Sequence, residues 1–165
     1  MEINLLKDIN IDNGAPSPKI LFSDSALYLL FYKNNTDDKI DPAKGRDSLI
    51  NKGIGIVKFK NVLSYKFGLP NDETLVGHTL YKFGLKYYSG QYIEKSPWLE
   101  ELIKLNSVHP YHNPSSFDNY KHYIFTFHDD TFECIAKGYD VKYKNKAMYD
   151  LANEILHEIF IEEIG

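Results

Sequence analysis

The spacing of apolar residues along the chain predicts an α+β fold. Seven segments either alternate between apolar and polar positions with the period of a β-strand or are rich in aromatic and aliphatic β-formers. Short turns join several of these segments, which favours a single antiparallel sheet of about six or seven strands. The predicted strands are Lys19–Phe22, Ala26–Lys33, Gly53–Lys60, Val62–Phe67, Leu85–Glu94, Tyr120–His128 and Thr131–Val141.

Two further segments have the spacing of a helix. Ser96 and Pro97 suit the N-cap and the first helical position of a short middle helix. Apolar residues follow at i, i+4 and i+7 from Trp98 to Leu105. A long helix is predicted over Lys144–Ile164. We expect both helices to cover one face of the sheet.

The length of 165 residues suits a single domain, 1–165. Residues 1–18 are weakly patterned and turn-rich, so we expect them to be loosely ordered. Residues 33–47 are polar and have no apolar period, which predicts a long surface loop.

Charge and aromatic content narrow the classes of partner. The chain has 19 Lys and Arg against 23 Asp and Glu, a net charge of −4. Because binders of nucleic acid or of anionic membranes carry a basic excess, we expect neither partner. The 13 tyrosines, 10 phenylalanines and single tryptophan fall mostly on strand or helix stripes, so they predict a packed core and not a base-stacking surface.

The sequence also favours a cytoplasmic protein. Cys134 is the single cysteine, which excludes an intramolecular disulfide and suits a reducing compartment. The amino terminus lacks the basic and apolar regions of a signal peptide, and no apolar run reaches the ~18 residues of a membrane helix.

The hairpin around Asp129 carries the densest group of titratable residues. If Asp129 and Asp130 form a two-residue turn, Thr126 pairs with Glu133, and His128 becomes a diagonal neighbour of Glu133 on one face. Such a group could serve acid–base chemistry or hold a ligand, or it could be a structural contact at a solvated hairpin end. The opposite face is apolar and makes Cys134 an inert core thiol; it contains Tyr123, Phe125, Phe127, Phe132, Cys134 and Ala136.

Other motifs give weaker signals. His109 and His112 have the spacing of two zinc ligands, but zinc sites generally need three or four, so we predict no metal site. His78 lies in a polar loop and either joins a site or belongs to a turn. The chain lacks the glycine-rich phosphate loops and the serine-hydrolase elbow, so we predict no cofactor.

Charges on the C-terminal helix are reversed relative to the helix dipole. Lys142, Lys144 and Lys146 precede it, and Glu158, Glu162 and Glu163 lie near its end. This arrangement indicates either a solvated face or a surface for a basic partner protein.

Five strings between Phe67 and Gly138 resemble an uncharacterised bacterial protein family. Thr79 stands where that pattern has Pro, and the first 60 residues lie outside the resemblance. The resemblance brings no known activity, but it implies that His78, His109, His128, Asp129 and Glu133 belong to motifs. The strings are Phe67–Glu73, Gly77–Tyr81, Ser96–Trp98, Asn106–Pro110 and His122–Ala136, the last reading HYIFTFHDDTFECIA.

The sequence therefore supports two hypotheses. The first is a non-enzymatic cytoplasmic protein that binds a protein partner, of the immunity or accessory type found in bacteria. The second is an enzyme or small-ligand-binding protein that uses a His/Asp/Glu cluster around residues 128–133. Whether the chain is an enzyme is left open, as is a homo-oligomer. The candidate binding residues are His78, His109, His128, Asp129 and Glu133.

Overall fold

A computed structural model describes residues 1–24, 26–34 and 53–165. It confirms the α+β class, but the prediction of one sheet is wrong, because the described residues form nine strands in two antiparallel sheets. The strands are β1 (Asn4–Leu5), β2 (Lys19–Phe22), β3 (Leu27–Tyr32), β4 (Ile54–Lys60), β5 (Ser64–Gly68), β6 (Gly90–Ile93), β7 (Lys121–Thr126), β8 (Thr131–Ala136) and β9 (Gly138–Lys144).

The first sheet has the order β1-β6-β7-β8-β5 and the second has the order β2-β3-β4-β9. The predicted strand Thr131–Val141 is in fact two strands, β8 and β9, which belong to different sheets. The chain crosses at Lys137, whose backbone N–H donates to the carbonyl of Lys60 at 2.9 Å. Apolar alternation continues on both sides of this crossing, so the pattern alone could not locate it.

The two sheets pack face to face around an aromatic core. Phe59 of β4 lies 5.7 Å from the ring of Tyr123, 5.8 Å from that of Phe125 and 5.4 Å from that of Phe132. The predicted apolar face of the hairpin is confirmed, because all six of its residues lie in this core. Cys134 is among them and is fully buried.

Each sheet has an outer face that a different part of the chain covers. Helix α1 (Pro97–Asn106) packs Trp98 and Leu99 against Ile135 of the first sheet. Helix α2 (Met148–Ile164) packs on the outer face of the second sheet. The two helices therefore lie on opposite sides of the sandwich. The prediction that both would cover one face of a single sheet is wrong. None of the helices in the described ranges is long and apolar enough to cross a membrane.

Several predicted boundaries are confirmed and others shift. Helix α1 begins after Ser96, whose side chain accepts a hydrogen bond from the Leu99 N–H at 3.1 Å. Helix α2 begins later than predicted because β9 continues to Lys144. Near the amino terminus, Leu6 and Ile11 are buried in the central core. The predicted loop 33–47 lies largely outside the described residues.

The hairpin of β7 and β8 turns one residue earlier than predicted. Thr126 pairs with Thr131, and the Phe127 N–H donates to the Asp130 carbonyl at 2.9 Å, which leaves His128 and Asp129 at the tip. Each residue of β8 therefore pairs with a β7 residue two positions before the predicted partner, as with Glu133, which pairs with Ile124 and not with Thr126. Side chains keep their faces in both registers, which explains how the apolar face was predicted correctly.

Candidate functional site

A buried carboxylate, Glu133, lies on the outer face of the first sheet and contacts two histidines. His78 places Nε2 3.2 Å from Glu133 Oε1, and His122 places Nε2 2.6 Å from Oε2. His122 is on β7 beside the strand of Glu133, whereas His78 follows a 3₁₀ helix, Asp72–Gly77. The three side chains are between 3% and 12% exposed, so they form a closed cluster.

The hydrogen bonds define which groups donate in this cluster. The Leu80 N–H donates to His78 Nδ1 at 3.1 Å, so the His78 proton is on Nε2 and is donated to Glu133. Burial on its own raises the pKa of Glu133, but the hydrogen bonds from His122 and His78 outweigh it and lower the pKa to about 2. Glu133 is therefore an ionised acceptor whose two oxygens each have an imidazole donor.

The far side of His122 is enclosed by aromatic and cationic groups. The imidazole lies edge-on to Trp98, with ring centroids 5.1 Å apart. The ammonium group of Lys66 lies 3.8 Å from the centroid of Trp98, within the range of a cation–π contact. Within the part of the chain that the structure describes, His122 Nδ1 is buried without a hydrogen-bond partner. A tautomer with its proton on Nδ1 would therefore break no hydrogen bond at that nitrogen.

A second cluster, centred on Asp72, ties the hairpin tip to the start of the 3₁₀ helix. His128 Nδ1 lies 2.6 Å from Asp72 Oδ2, and the Tyr88 hydroxyl donates to the same oxygen. The Asp72 N–H also donates to the His128 carbonyl at 2.9 Å. The His128 side chain is 48% exposed, and its Nε2 lies 3.9 Å from Asp129 Oδ1.

Family models, curated proteins and solved structures gave no match to this chain. The resemblance to an uncharacterised bacterial family therefore stays a prediction.

Charge and hydrogen bonding set the ionisation of the Asp72 cluster. Hydrogen bonds from Tyr88 and then from His128 lower the pKa of Asp72. The same contacts raise the pKa of His128, chiefly through its hydrogen bond with Asp72, and raise that of Tyr88 to about 12. The contacts thus favour the charged forms of Asp72 and His128, and the Tyr88 phenol stays protonated at neutral pH.

The structure divides the predicted site residues among different places. Glu133 contacts His78, whereas His128 contacts Asp72, so the expected contact between His128 and Glu133 is replaced by two separate clusters. His109 lies in an exposed turn after α1, where its Nδ1 accepts from the Tyr111 N–H at 3.1 Å. No hydrogen bond or ion pair joins it to either cluster within the part of the chain that the structure describes.

Sequence reasoning missed His122 and Tyr88 as cluster members, whereas it had named Asp72, in the loop before His78, as a residue that could join a site. His122 was placed correctly on the face of Glu133, but the predicted register made His128 the diagonal neighbour of Glu133. The observed register pairs Ile124 with Glu133, which makes His122 the diagonal neighbour instead. The two-residue difference in strand register therefore makes His122, and not His128, the neighbour of Glu133.

Neither cluster has the arrangement of a metal centre. Among residues 1–24, 26–34 and 53–165, no group of three or more His, Cys, Asp or Glu side chains is placed to hold a metal ion. In the Glu133 cluster each imidazole faces a different carboxylate oxygen, so the three groups do not converge on one point. The arrangement orients segments of the chain by hydrogen bonding.

The outer side of α2 is the third feature with functional potential. Helix α2 buries Leu151, Ile155 and Ile159 against the second sheet. Four of its other large apolar residues point to solvent on one side, and Phe160 and Ile164 are 61% and 86% exposed. At 100° per residue these four fall within an arc of ~80°, so they share one side of the helix, with the polar Asn153 between Tyr149 and Leu156. We call this the α2 stripe; it consists of Tyr149, Leu156, Phe160 and Ile164.

Proposed function

We propose that this protein acts by binding a protein partner through the α2 stripe. The observation that carries the proposal is a second apolar stripe on a helix whose first apolar stripe is already buried. A single exposed apolar residue needs no explanation, but several large ones on one helix face are typical of an interaction surface. Phe160 lies between Leu156 and Ile164 on the α2 stripe, and it suits the role of an anchor residue.

The charges around the stripe indicate what kind of protein would bind. Glu163 flanks the stripe near the helix end, where the helix dipole is itself negative. The last turn of α2 has no basic residue to balance this charge. We therefore propose a partner with an apolar centre and basic residues beside it, because opposite charges favour encounter and register.

The geometry supports binding better than catalysis. An acid–base site built on residues 128–133 needs His128 and Glu133 to face one substrate. Glu133 is enclosed and already accepts two hydrogen bonds, whereas His128 faces outward at the hairpin tip. Small size and acidic charge favour the immunity or accessory class in a bacterial cytoplasm within this proposal.

A capture experiment with matched variants tests the proposal. The tagged wild-type protein, Phe160→Glu and Leu105→Glu are used to isolate partners, and each partner is then purified and titrated by calorimetry. Leu105 is 71% exposed on α1 and controls for a charge placed on a different apolar surface. We expect one near-stoichiometric partner whose affinity falls by at least ~10-fold with Phe160→Glu and is unchanged with Leu105→Glu.

Two results would contradict the proposal. One is the absence of any near-stoichiometric protein partner. The other is a partner that binds the Phe160→Glu variant as tightly as it binds the wild type. Circular dichroism of each variant shows that α2 is still folded, so that a loss of affinity reports on the surface and not on unfolding.

A further inference from the structure

The core between the two sheets is open along β5, the last strand of the first sheet. In β5, Tyr65 pairs with Cys134 and Phe67 pairs with Phe132, and both partners are fully buried in the core. Because paired residues share a face, Tyr65 and Phe67 also point between the sheets, yet they are 37% and 44% exposed. From the second sheet the exposed ring of Phe22 lies 5.0 Å from that of Tyr65. We call the site formed by Phe22, Tyr65 and Phe67 the β5 opening.

The backbone of β5 is open along the same edge. The strand is last in the order of its sheet and pairs with β8 alone. Within residues 1–24, 26–34 and 53–165, no backbone hydrogen bond joins Ser64–Gly68 to any other element. An open row of N–H and C=O groups is matched by one more strand, which presents donors and acceptors at the same spacing.

The charge of Lys66 lies between the two aromatic residues of β5. Lys66 pairs with Glu133, so its side chain points to the outer face, where its ammonium group lies over the ring of Trp98. This contact leaves the positive charge in place, and no carboxylate of the described residues forms an ion pair with it. A residue directly opposite Lys66 on an added strand shares its face, so an acidic side chain is favoured there.

We propose that β5 binds an extended segment of a partner protein, which adds to the first sheet as an antiparallel strand with apolar, acidic and apolar residues in succession. The open backbone calls for a strand, and the antiparallel direction continues the pairing of the sheet. The acidic residue lies opposite Lys66. The apolar residues lie opposite Tyr65 and Phe67 and cover the β5 opening.

Charge disfavours a second copy of this chain as the added strand. When two β5 strands pair in the antiparallel direction, the register that matches all five residues puts Lys66 opposite Lys66 of the second copy. Like charges directly opposite each other are destabilising. Any register that avoids this contact shortens the pairing, so a foreign acidic strand fits the edge better than a second β5 does.

A peptide of the length of β5 tests the proposal. The probe is fluorescein-labelled Thr-Val-Glu-Val-Thr, and its counterpart Thr-Val-Lys-Val-Thr differs only in the central residue. Titration with the purified chain, followed by fluorescence anisotropy, measures both affinities. We expect a dissociation constant on the order of 10–100 µM for the glutamate peptide. The lysine peptide should bind about 3- to 10-fold more weakly, because it places a like charge opposite Lys66.

Two N-methylated forms of the glutamate peptide show whether it binds as a strand. One carries methyl groups on the backbone nitrogens of both valines, and the other carries them on those of the glutamate and both threonines. Alternate N–H groups of a strand point to the same edge, so one form loses its donors to β5 and the other keeps them. We expect affinities that differ by at least ~10-fold, and equal affinities would overturn strand addition.

Variants of the chain locate the site. Phe67→Ser should weaken binding of the glutamate peptide by at least ~5-fold, because it removes apolar surface from the β5 opening. Phe83→Ser, which changes an exposed aromatic residue elsewhere, should leave the affinity unchanged. Lys66→Gln should remove the preference for the glutamate peptide, because it removes the charge and keeps much of the side-chain length. Urea unfolding followed by Trp98 fluorescence shows that each variant is folded.

Three results would overturn the proposal. One is the failure of both peptides to bind at up to about 1 mM chain. Another is unchanged affinity with Phe67→Ser, or an unchanged preference with Lys66→Gln. The third is self-association of the chain that Phe67→Ser abolishes, because a second copy would then occupy β5.

The β5 opening and the α2 stripe are independent surfaces, so the two proposals fail separately. Phe160→Glu should leave binding of the glutamate peptide unchanged, because α2 packs on the outer face of the second sheet. If neither peptide binds and Phe160→Glu still abolishes binding of a foreign partner, strand addition is overturned and the proposed function stands.

Discussion

Replacing Glu133 by Gln should remove a pH-dependent part of the stability. In the wild type the carboxylate accepts hydrogen bonds from His78 and His122. The glutamine amide of the variant keeps an oxygen for His78, whose proton is fixed on Nε2 by the Leu80 N–H. Its NH₂ group then faces His122 Nε2, so His122 must move its proton to Nδ1. That move is available because Nδ1 has no partner among the described residues, and the variant therefore loses charge without losing the fold.

The magnitude follows from the pKa of Glu133. The pKa falls from 4.5 to about 2, and each unit corresponds to about 1.4 kcal/mol, so ionisation contributes ~3 kcal/mol to the free energy of unfolding. A lowered pKa gives stability that is fully present above the unfolded-state value of 4.5 and is lost as pH falls toward about 2. At neutral pH we expect Glu133→Gln to cost ~1.5–3 kcal/mol, the range for charge-assisted hydrogen bonds.

Urea unfolding at several pH values measures this effect. Trp98 is the single tryptophan and packs against His122, so its fluorescence reports on unfolding close to the site. The difference in free energy between the wild type and Glu133→Gln should shrink by about half or more between about pH 7 and about pH 3. Glu94→Gln is the matched control, because Glu94 is an exposed carboxylate that pairs with Lys121 at 3.5 Å. A difference between the wild type and Glu133→Gln that is equal at both pH values would refute the reasoning.

Two further predictions concern the exposed ion pair and the core. Asp72→Asn should lower the pKa of His128 toward its ordinary value, because the contact with Asp72 is the main cause of the raised pKa. NMR titration of the imidazole protons measures this pKa, and an unchanged titration would contradict the prediction. Phe59→Ala should cost ~3–5 kcal/mol in urea unfolding, because Phe59 is buried among other aromatic rings. Phe83→Ala, at an exposed position, should lower the free energy of unfolding by less than ~1 kcal/mol. Equal losses of free energy in Phe59→Ala and Phe83→Ala would show that the core is misplaced.

Features that depend on local spacing could be predicted from the sequence. Helix α1 begins after Ser96 and ends at Asn106 as predicted, because its N-cap and its apolar spacing are both local signals. The two faces of the hairpin were also predicted correctly, since side chains alternate whatever the register. The α+β class follows from the same two periods.

Features that depend on long-range pairing could not be predicted. His78 and Glu133 are 55 residues apart in sequence, and a 3₁₀ helix with no apolar period of its own carries His78 to the sheet. The division into two sheets could not be predicted for a related reason. Strands β3, β7 and β8 are buried along almost their whole length, and a strand covered on both faces has the same pattern whether a helix or a second sheet covers it, so the pattern does not reveal the second sheet.

The two carboxylate clusters act together on one short segment. The 3₁₀ helix Asp72–Gly77 is fixed at its first residue by the contact of Asp72 with His128, and just beyond its end by the contact of His78 with Glu133. Both anchors attach it to the same hairpin, β7 and β8. They respond differently to pH, however. The raised pKa of His128 means that the outer anchor loses its charge as pH rises through that value, whereas Glu133 stays ionised. The Asp72 end is therefore the end that is weakened as pH rises, although the Tyr88 hydroxyl and the Asp72 N–H still hold it, and the buried anchor keeps the other end on the sheet.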